Sequence, residues 1–542
     1  MAPEALAVIA ELQAGRAALE ATLAAANEER HRVAVERDTF AAERDRYKEL
    51  YVKQLELCRK LELGILGQKR ERFVAEGQLT LSLLGMLLDE AEKKAGPPPQ
   101  IEVAAHARPK PTGRKPLPEH LPRVDVTVLP EEVERGGLDA FERIGEDITE
   151  TVERRPGSFV VVRVHRPKFV PKGRDPLDET KVSQMPALEL PIPRGLAGPG
   201  LLADTLVRRF QDHQPLHRLE RIYGREGLEL ARSTLCGWHA ELSVLVRPLI
   251  EAMWQDALAS PYLCTDATGV LVQDRLKCHA GHFWIMAAPE KHVLFNFSRK
   301  HDGAAVDEML AGYKGYLVAD AHSVYDHLYR GGKVVEVGCW AHARRYFFKA
   351  LDSDRELATA GLTHIRALFD LERAHATLPP ETRLAARKAL GKQIVDGFFA
   401  WCELEVLRAL DETPIQKALR YALNQQTALS RFLDDGRLPI HNNFSERELR
   451  REAVGRKNWL FIGTDDAGEV NANFVSLIAS AQLHTLEPWA YLRDLLCLLP
   501  GWPQKRVLEL APAYWASTVE LPRAQSALAG NLYRRAILST PA

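Results

Sequence analysis

Residues 262–272 read YLCTDATGVLV, an apolar run with one carboxylate, Asp266, set just past its start. Such a run reads as a strand, and the sequence after it keeps the same character. HFWIMAAP (282–289) and HVLFNFS (292–298) continue as a meander, and DGAAVDEMLAGY (302–313) has the spacing of an amphipathic helix. GYLVAD (315–320) is a strand ending on Asp320, and KVVEVGCW (333–340) is a further strand. Three neighbouring strands, a helix and further strands make an α/β core. Residues 341–435 are nearly all helical in pattern, and a sheet-like signal returns only in NWLFIG (458–463).

Outward from that core, 542 residues are too many for one hydrophobic interior, so roughly three or four domains are expected. The formal charge of −1 advertises no overall polyanion partner, although 72 Lys and Arg leave room for local basic patches. Seven scattered cysteines with no CxxC pair fit a reducing cytoplasm and argue against a disulfide framework or a cysteine zinc site. The start, MAPEALAVIAELQ, lacks a basic n-region and carries Glu4 and Glu11, unlike a signal peptide. No apolar run approaches the ~18–20 residues of a membrane span. A soluble intracellular protein is expected.

The organisation predicted along the chain starts with a proline-free stretch, residues 4 to 75, within a long helix or coiled coil over 1–95. Its heptad seam holds Leu12, Leu19, Ala26, Val33, Phe40, Tyr47, Gln54 and Leu61, while the companion position holds Arg16, Leu23, Arg30, Arg37 and Arg44. A proline-rich, net basic linker covers 96–123. A small β module covers 124–192; in FVVVRVHRPKF, Val162 and Val164 face one way and Arg163 and His165 the other, giving a basic face. Residues 193–257 read as a helix-turn-helix: a short helix (LHRLERIYGREG), a break at Gly227 and a second helix capped by Ser233. Arg232, Thr234 and His239 would then face a DNA groove. A core domain over 258–490 with a helical insertion near 352–436, and a helical region over 491–542, complete the division.

Two carboxylates mark strands of the core, and a third, Glu446, lies in HNNFSERELRR (441–451). Asn443 and Glu446 are spaced like an N-cap and its capping-box partner, and Glu446 with Arg450 makes an i,i+4 pair. Carboxylates from two adjacent strands, plus one from a helix laid across the sheet, also supply the convergence that two divalent cations need. Carboxylate oxygens suit hard Mg²⁺. Cys278, His279 and His282, and Cys339 with His342, offer ligands but no complete four-ligand set.

The strings TDATGVLV, YLVADAHSVYDHLY, GCWAHARRYFF, FLDDGRLPIHNNFSERELR and GRKNWLFIGTDDAG, in this order, resemble transposases of the insertion sequence 66 family. LGQKRERF, RKPLPEHLPRVDV, the segment from PIPRGLAGPG to LARSTLCGW, and LEPWAYLRDLLCLLP extend the resemblance over nearly the whole chain. The resemblance implies a multi-domain α/β protein with a ribonuclease-H-like core, a large helical insertion and a DDE triad of Asp266, Asp320 and Glu446 that is both catalytic and metal-binding. It implies Mg²⁺ or Mn²⁺, double-stranded DNA as element ends and target, a homo-oligomer, accessory proteins of the same element, and a cytoplasmic, nucleoid-associated location. Arg232, Thr234, Arg447, Arg450, Arg456 and Lys457 become candidate DNA contacts, with Trp459 as a base-stacking candidate. Two departures stand out. Pro171 and Arg174 occupy places where the family carries zinc-binding cysteines, so no zinc is expected, and His441 stands where it carries an aspartate. The main rival is a transposase-derived DNA-binding protein or repressor that no longer cuts; a metal-dependent nuclease without strand transfer is another.

Overall fold

The computed structural model describes residues 117–538, apart from 120, 156, 173–181 and 275–276. All of these belong to the second of two compact units, Gly113–Ala542. The heptad helix, most of the basic linker and Arg174 lie outside the described residues.

The first sheet is built from β1 (Arg123–Thr127), β2 (Phe141–Arg155), β3 (Ser158–Pro171) and β4 (Ser183–Gln184). Its order is β1-β3-β2, with β4 pairing the far part of β3. The expected alternation along β3 holds, but over its first half both faces are buried. Val160, Val162 and Val164 pack against Tyr533, Ala536 and Ile537 near the C-terminus, while Phe159 and Val161 join the main core. The side that carries Arg163 and His165 is not a free basic face. Arg163 lies 3.1 Å from Glu150 and 3.5 Å from Asp125, and His165 lies 2.9 Å from Asp125; Lys168, in line with the valines, lies 2.8 Å from Asp147. Cross-strand carboxylates neutralise it, as opposed charges on facing strands do.

The helical hairpin consists of α1 (Pro199–Phe210), α2 (Leu216–Arg225) and α3 (Arg232–Leu258). Gly227 turns the chain between α2 and α3 at φ 88°, a conformation that glycine adopts without strain. Two expectations fail here. Ser233 caps nothing, since the extended residue before the helix is Ala231 and no side chain caps it. His239 faces no groove: it is 4% exposed, with Nε2 3.1 Å from Thr205 Oγ1.

The second sheet contains β5 (Tyr262–Val272), β6 (His279–Ala288), β7 (His292–Ser298), β8 (Gly315–Val318) and β9 (Val334–Val337) in the order β7-β6-β5-β8-β9. The first three strands are antiparallel neighbours, whereas β8 and β9 run parallel to β5. Helix α4 (Gly303–Met309), capped by Asp302, lies between β7 and β8, as a chain passing between strands of one sheet requires. At the open edge, the N–H groups of Val293 and Phe295 donate to Ser480 and Ser476 on a later helix, at 3.0 and 2.7 Å. That helix covers an edge that would otherwise offer unpaired donors.

After β9 the chain is helical, as its pattern predicts: α5 (Trp340–Ala350), α6 (Arg355–Ala374), α7 (Pro380–Ala386), α8 (Lys392–Val406) and α9 (Pro414–Asn424). It returns to the sheet as α10 (Asn443–Trp459), followed by the edge-covering α11 (Asp465–Leu483). NWLFIG is no strand. Helix α10 runs through Trp459, Leu460 turns the chain at φ 60°, and Ile462 alone bridges to Val272. Among the described residues no helix is long and apolar enough to cross a membrane.

Candidate active site

Strand register decides where the two aspartates meet. Cys264 of β5 pairs with Val318 of β8 in a parallel ladder, and Asp266 and Asp320 each lie two residues further on. Asp266 continues β5, while Asp320 lies two residues past the end of β8, near enough for its charge to act on Asp266. Residues 54 apart in sequence are thereby set beside each other.

Glu446 reaches the same place through a set of buried ties. Asn442, 0% exposed, donates from Nδ2 to the carbonyl of Thr265 at 2.7 Å, next to Asp266. Its backbone N–H donates to Cys339 Sγ at 3.2 Å, and the N–H of Trp340 donates to the Ile440 carbonyl at 2.9 Å. The residue before the helix is thus Asn442, not Asn443, and its side chain serves β5 instead of capping α10. Glu446 then occupies the first turn.

The expected Glu446–Arg450 pair is absent. The carboxylate instead lies 3.4 Å from Arg345 Nη2 and 3.6 Å from His342 Nε2, both on α5. Asp266 Oδ1 accepts the N–H of Ala267 at 2.8 Å. Burial, and then the like charges of Asp320 and Glu446, push the Asp266 carboxyl up to about 7, against the pull of the Ala267 N–H and Arg345. Burial, and then Arg345, hold the His342 imidazole below its ordinary value, which keeps it neutral near pH 7. Asp266 therefore senses the charges of the other two carboxylates. Two of the three are engaged by protein donors, and among the described residues no three His, Cys, Asp or Glu side chains converge as a ready-made metal site.

The remaining candidates scatter. Arg447 lies over the Phe444 ring and 3.4 Å from Glu448, while Arg450 and Lys457 are exposed. Arg456 donates to the Gly269 carbonyl on β5. Trp459 is half-buried under the Arg209 guanidinium, 5.3 Å from its ring centre. Arg232 pairs with Glu220 inside the helical hairpin at 3.2 Å, and Thr234 is half-buried beside it. His441 turns into the helical insertion, its ring stacked on Phe369 at 5.8 Å and 21°. Of the two Cys/His groups, His279 pairs with Asp465 at 3.1 Å and His282 packs on His301. The roles of Asn442, His342 and Arg345 went unread in the sequence. Their only signals were the doubled asparagine and the polar start of CWAHARR.

Comparison with known proteins adds three matches in chain order. The family described as "Transposase IS66 family" matches residues 194–470, "Transposase C of IS166 homeodomain" matches residues 55–126, and "IS66 C-terminal element" matches residues 476–513. Among curated relatives, "Uncharacterized protein y4hP" of Sinorhizobium fredii is 30% identical over 503 residues, covering 85% of this chain and 90% of the relative. "Uncharacterized protein y4qI" of the same organism is 29% identical over 435 residues, covering 76% of this chain and 80% of the relative.

Proposed function

The chain belongs to the IS66 transposase family, and on that premise we propose that it binds the terminal inverted repeats of an insertion sequence and catalyses metal-dependent DNA cleavage and strand transfer. The observation that carries this reading is that the Asp266 carboxyl, on an inner strand, feels the charges of Asp320, just past the parallel neighbour, and of Glu446, at the start of a returning helix. Three antiparallel strands followed by two parallel ones, in the order β7-β6-β5-β8-β9, support a ribonuclease-H-like core.

The site fits a divalent cation by its donors and its charge. Its oxygens suit hard Mg²⁺ or Mn²⁺, and the burial and neighbouring negative charge that raise the Asp266 carboxyl are what a bound cation offsets. Asp266, Asp320 and Glu446 would hold the metal, which when bound stabilises charge on the phosphoryl oxygens and activates the attacking oxygen. The chain's own residues do the positioning. Asn442 fixes the helix start to β5, while His342 and Arg345 hold the Glu446 carboxylate. Exposed Arg450 and Lys457 are available to phosphates beside the site. Arg232 and Thr234 would serve the hairpin's DNA contact, and residues 1–95 would join copies of the chain so that two ends are held together.

The open arrangement of the carboxylates also suits a second reading, a transposase-derived protein that binds ends without cutting them. A supercoiled plasmid carrying the element's ends, with Mg²⁺, separates the two. Cleavage by the native chain, abolished by Asp266→Asn, Asp320→Asn and Glu446→Gln with end binding retained, supports the transposase. Binding without cleavage by the native chain supports the second reading.

A further inference from the structure

Beside the carboxylates, a groove of about 600 Å³ opens between α5, α6 and the start of α10. One stripe of α6 supplies its outer wall: Leu362, Arg366, Phe369 and Arg373, spaced four, three and four so that they share one helix face. Arg344 of α5 and Asn443 of α10 close the opposite side. Both adjoin the proposed catalytic group. Asn443 stands one turn before Glu446, and the neighbour of Arg344, Arg345, touches that carboxylate.

The charge in the groove is net positive. Asp370 sits 2.9 Å from Arg373 and 3.6 Å from Arg366, which leaves one positive charge from that trio. Arg344 adds a second, with no ion pair among the described residues. The floor is aromatic. Phe369 is half-buried, and the His441 ring stacked behind it holds it in place. Cations along the walls with an aromatic face between them form the pattern that binds unpaired nucleic acid, phosphates on the arginines and a base on the ring. A volume within the ~300–1,000 Å³ of small-ligand pockets is too small for a duplex and enough for a nucleotide or two.

We infer that this groove takes unpaired DNA nucleotides flanking the scissile phosphate, with one base stacked on Phe369 and phosphates on Arg344 and Arg373. The inference rests on the transposase reading and deepens it. His441 then supports Phe369 from behind.

The test is fluorescence anisotropy in EDTA, so that no DNA is cut. The full-length protein is titrated with a labelled blunt duplex, and with the same duplex ending in a short unpaired arm of thymidines. One stacked base predicts a preference for the armed duplex of at least about fivefold. Phe369→Leu, which keeps apolar volume, and the double variant Arg344→Ala/Arg373→Ala should each bring the ratio near one. Arg408→Ala, an exposed arginine outside the groove, should leave it unchanged. Circular dichroism checks that each variant is folded. A native chain without preference for the arm, or variants that retain the preference, overturns the groove assignment and leaves the transposase reading standing. A native chain that binds neither duplex overturns both.

Discussion

Neutralising Asp266 should make the metal-free protein more stable while abolishing any cutting. Its carboxyl is raised from the ordinary 3.8 to about 7 by burial and by the charges of Asp320 and Glu446. A carboxyl with a raised folded-state pKa binds its proton more tightly in the native chain than in the unfolded one. Its contribution to stability is therefore full below about pH 4 and lost as the pH rises through about 7. A shift of about three units corresponds to roughly 4 kcal/mol, and partial exposure of the group reduces this, so about 2–4 kcal/mol is expected. Asparagine has the same shape and can still accept the Ala267 N–H, but carries no charge to bury. In EDTA at pH 8, Asp266→Asn should melt several degrees above the native chain, at about 2–4 °C per kcal/mol. At pH 4 the two should coincide. Adding Mg²⁺ should then favour the native chain, by about 2.7 kcal/mol at a hundred times the dissociation constant. If the variant at pH 8 is no more stable than the native chain, the Asp266 carboxyl is not raised by burial and its neighbours, and the electrostatic case for the site fails.

Three further outcomes follow from the same geometry. Proton competition at Asp266 should cut Mn²⁺ affinity about tenfold per pH unit below about 7, and Arg345→Ala should move that limb to higher pH because Arg345 now pulls the carboxyl down; titration by electron paramagnetic resonance reads both, and a flat affinity from pH 5 to 8 refutes them. Asn442→Ala removes a fully buried donor from the Thr265 carbonyl and should cost about 1–3 kcal/mol in chemical denaturation, with cleavage falling at least about tenfold and duplex binding unchanged. Arg387 is 1% exposed and grips Glu372 with two hydrogen bonds; Arg387→Met should destabilise by about 3–5 kcal/mol, and Arg387→Met with Glu372→Gln should recover part of that loss.

What could be read in the sequence divides by the range of the interaction that decides it. The strand carrying Asp266 was legible to its limits, 262–272, because an apolar run in a sheet depends on its own residues and on burial. The burial of His239 was legible as well and was missed. It lies on the same helical stripe as Leu235, Leu242 and Val246, all buried, which is a core position by spacing. NWLFIG misled because a short apolar run fits a buried helix end as well as a strand, and the positive φ of Leu460 that decides it leaves no trace in composition. The basic face of β3 could not be judged without register, since the carboxylates that neutralise it lie on β1 and β2. Nor could the partner of Glu446. Arg450 is four residues away, yet Arg345 is 101 residues away in sequence and makes the contact.

Placing Glu446 is a long-range problem, and the helical insertion solves it mechanically. The chain leaves the sheet at Val337 and returns at Asn443, so any slack over that excursion would move the carboxylate relative to β5. The return is fixed at successive points. A Cβ at Gly436 would lie 1.8 Å from the Pro380 carbonyl oxygen, so the backbones there touch with no space for a side chain. Arg387 donates to the carbonyls of Phe432, Asp435 and Leu438 at 2.8, 2.8 and 2.9 Å. Trp340 holds Ile440, and Asn442 is held by Cys339 and holds Thr265. Magnitudes show why so many ties are needed. Keeping Asp266 charged works against the site by about 2–4 kcal/mol, through burial first and then through Asp320 and Glu446, and an unrestrained helix start would relax the last part by moving Glu446 away. Truncating Arg387 alone would cost about as much as that whole penalty, so the insertion can hold the carboxylates in place before any cation arrives. On this view the insertion is part of the site although it contributes no member of the triad, and loosening it at Arg387 should weaken metal binding as well as the fold.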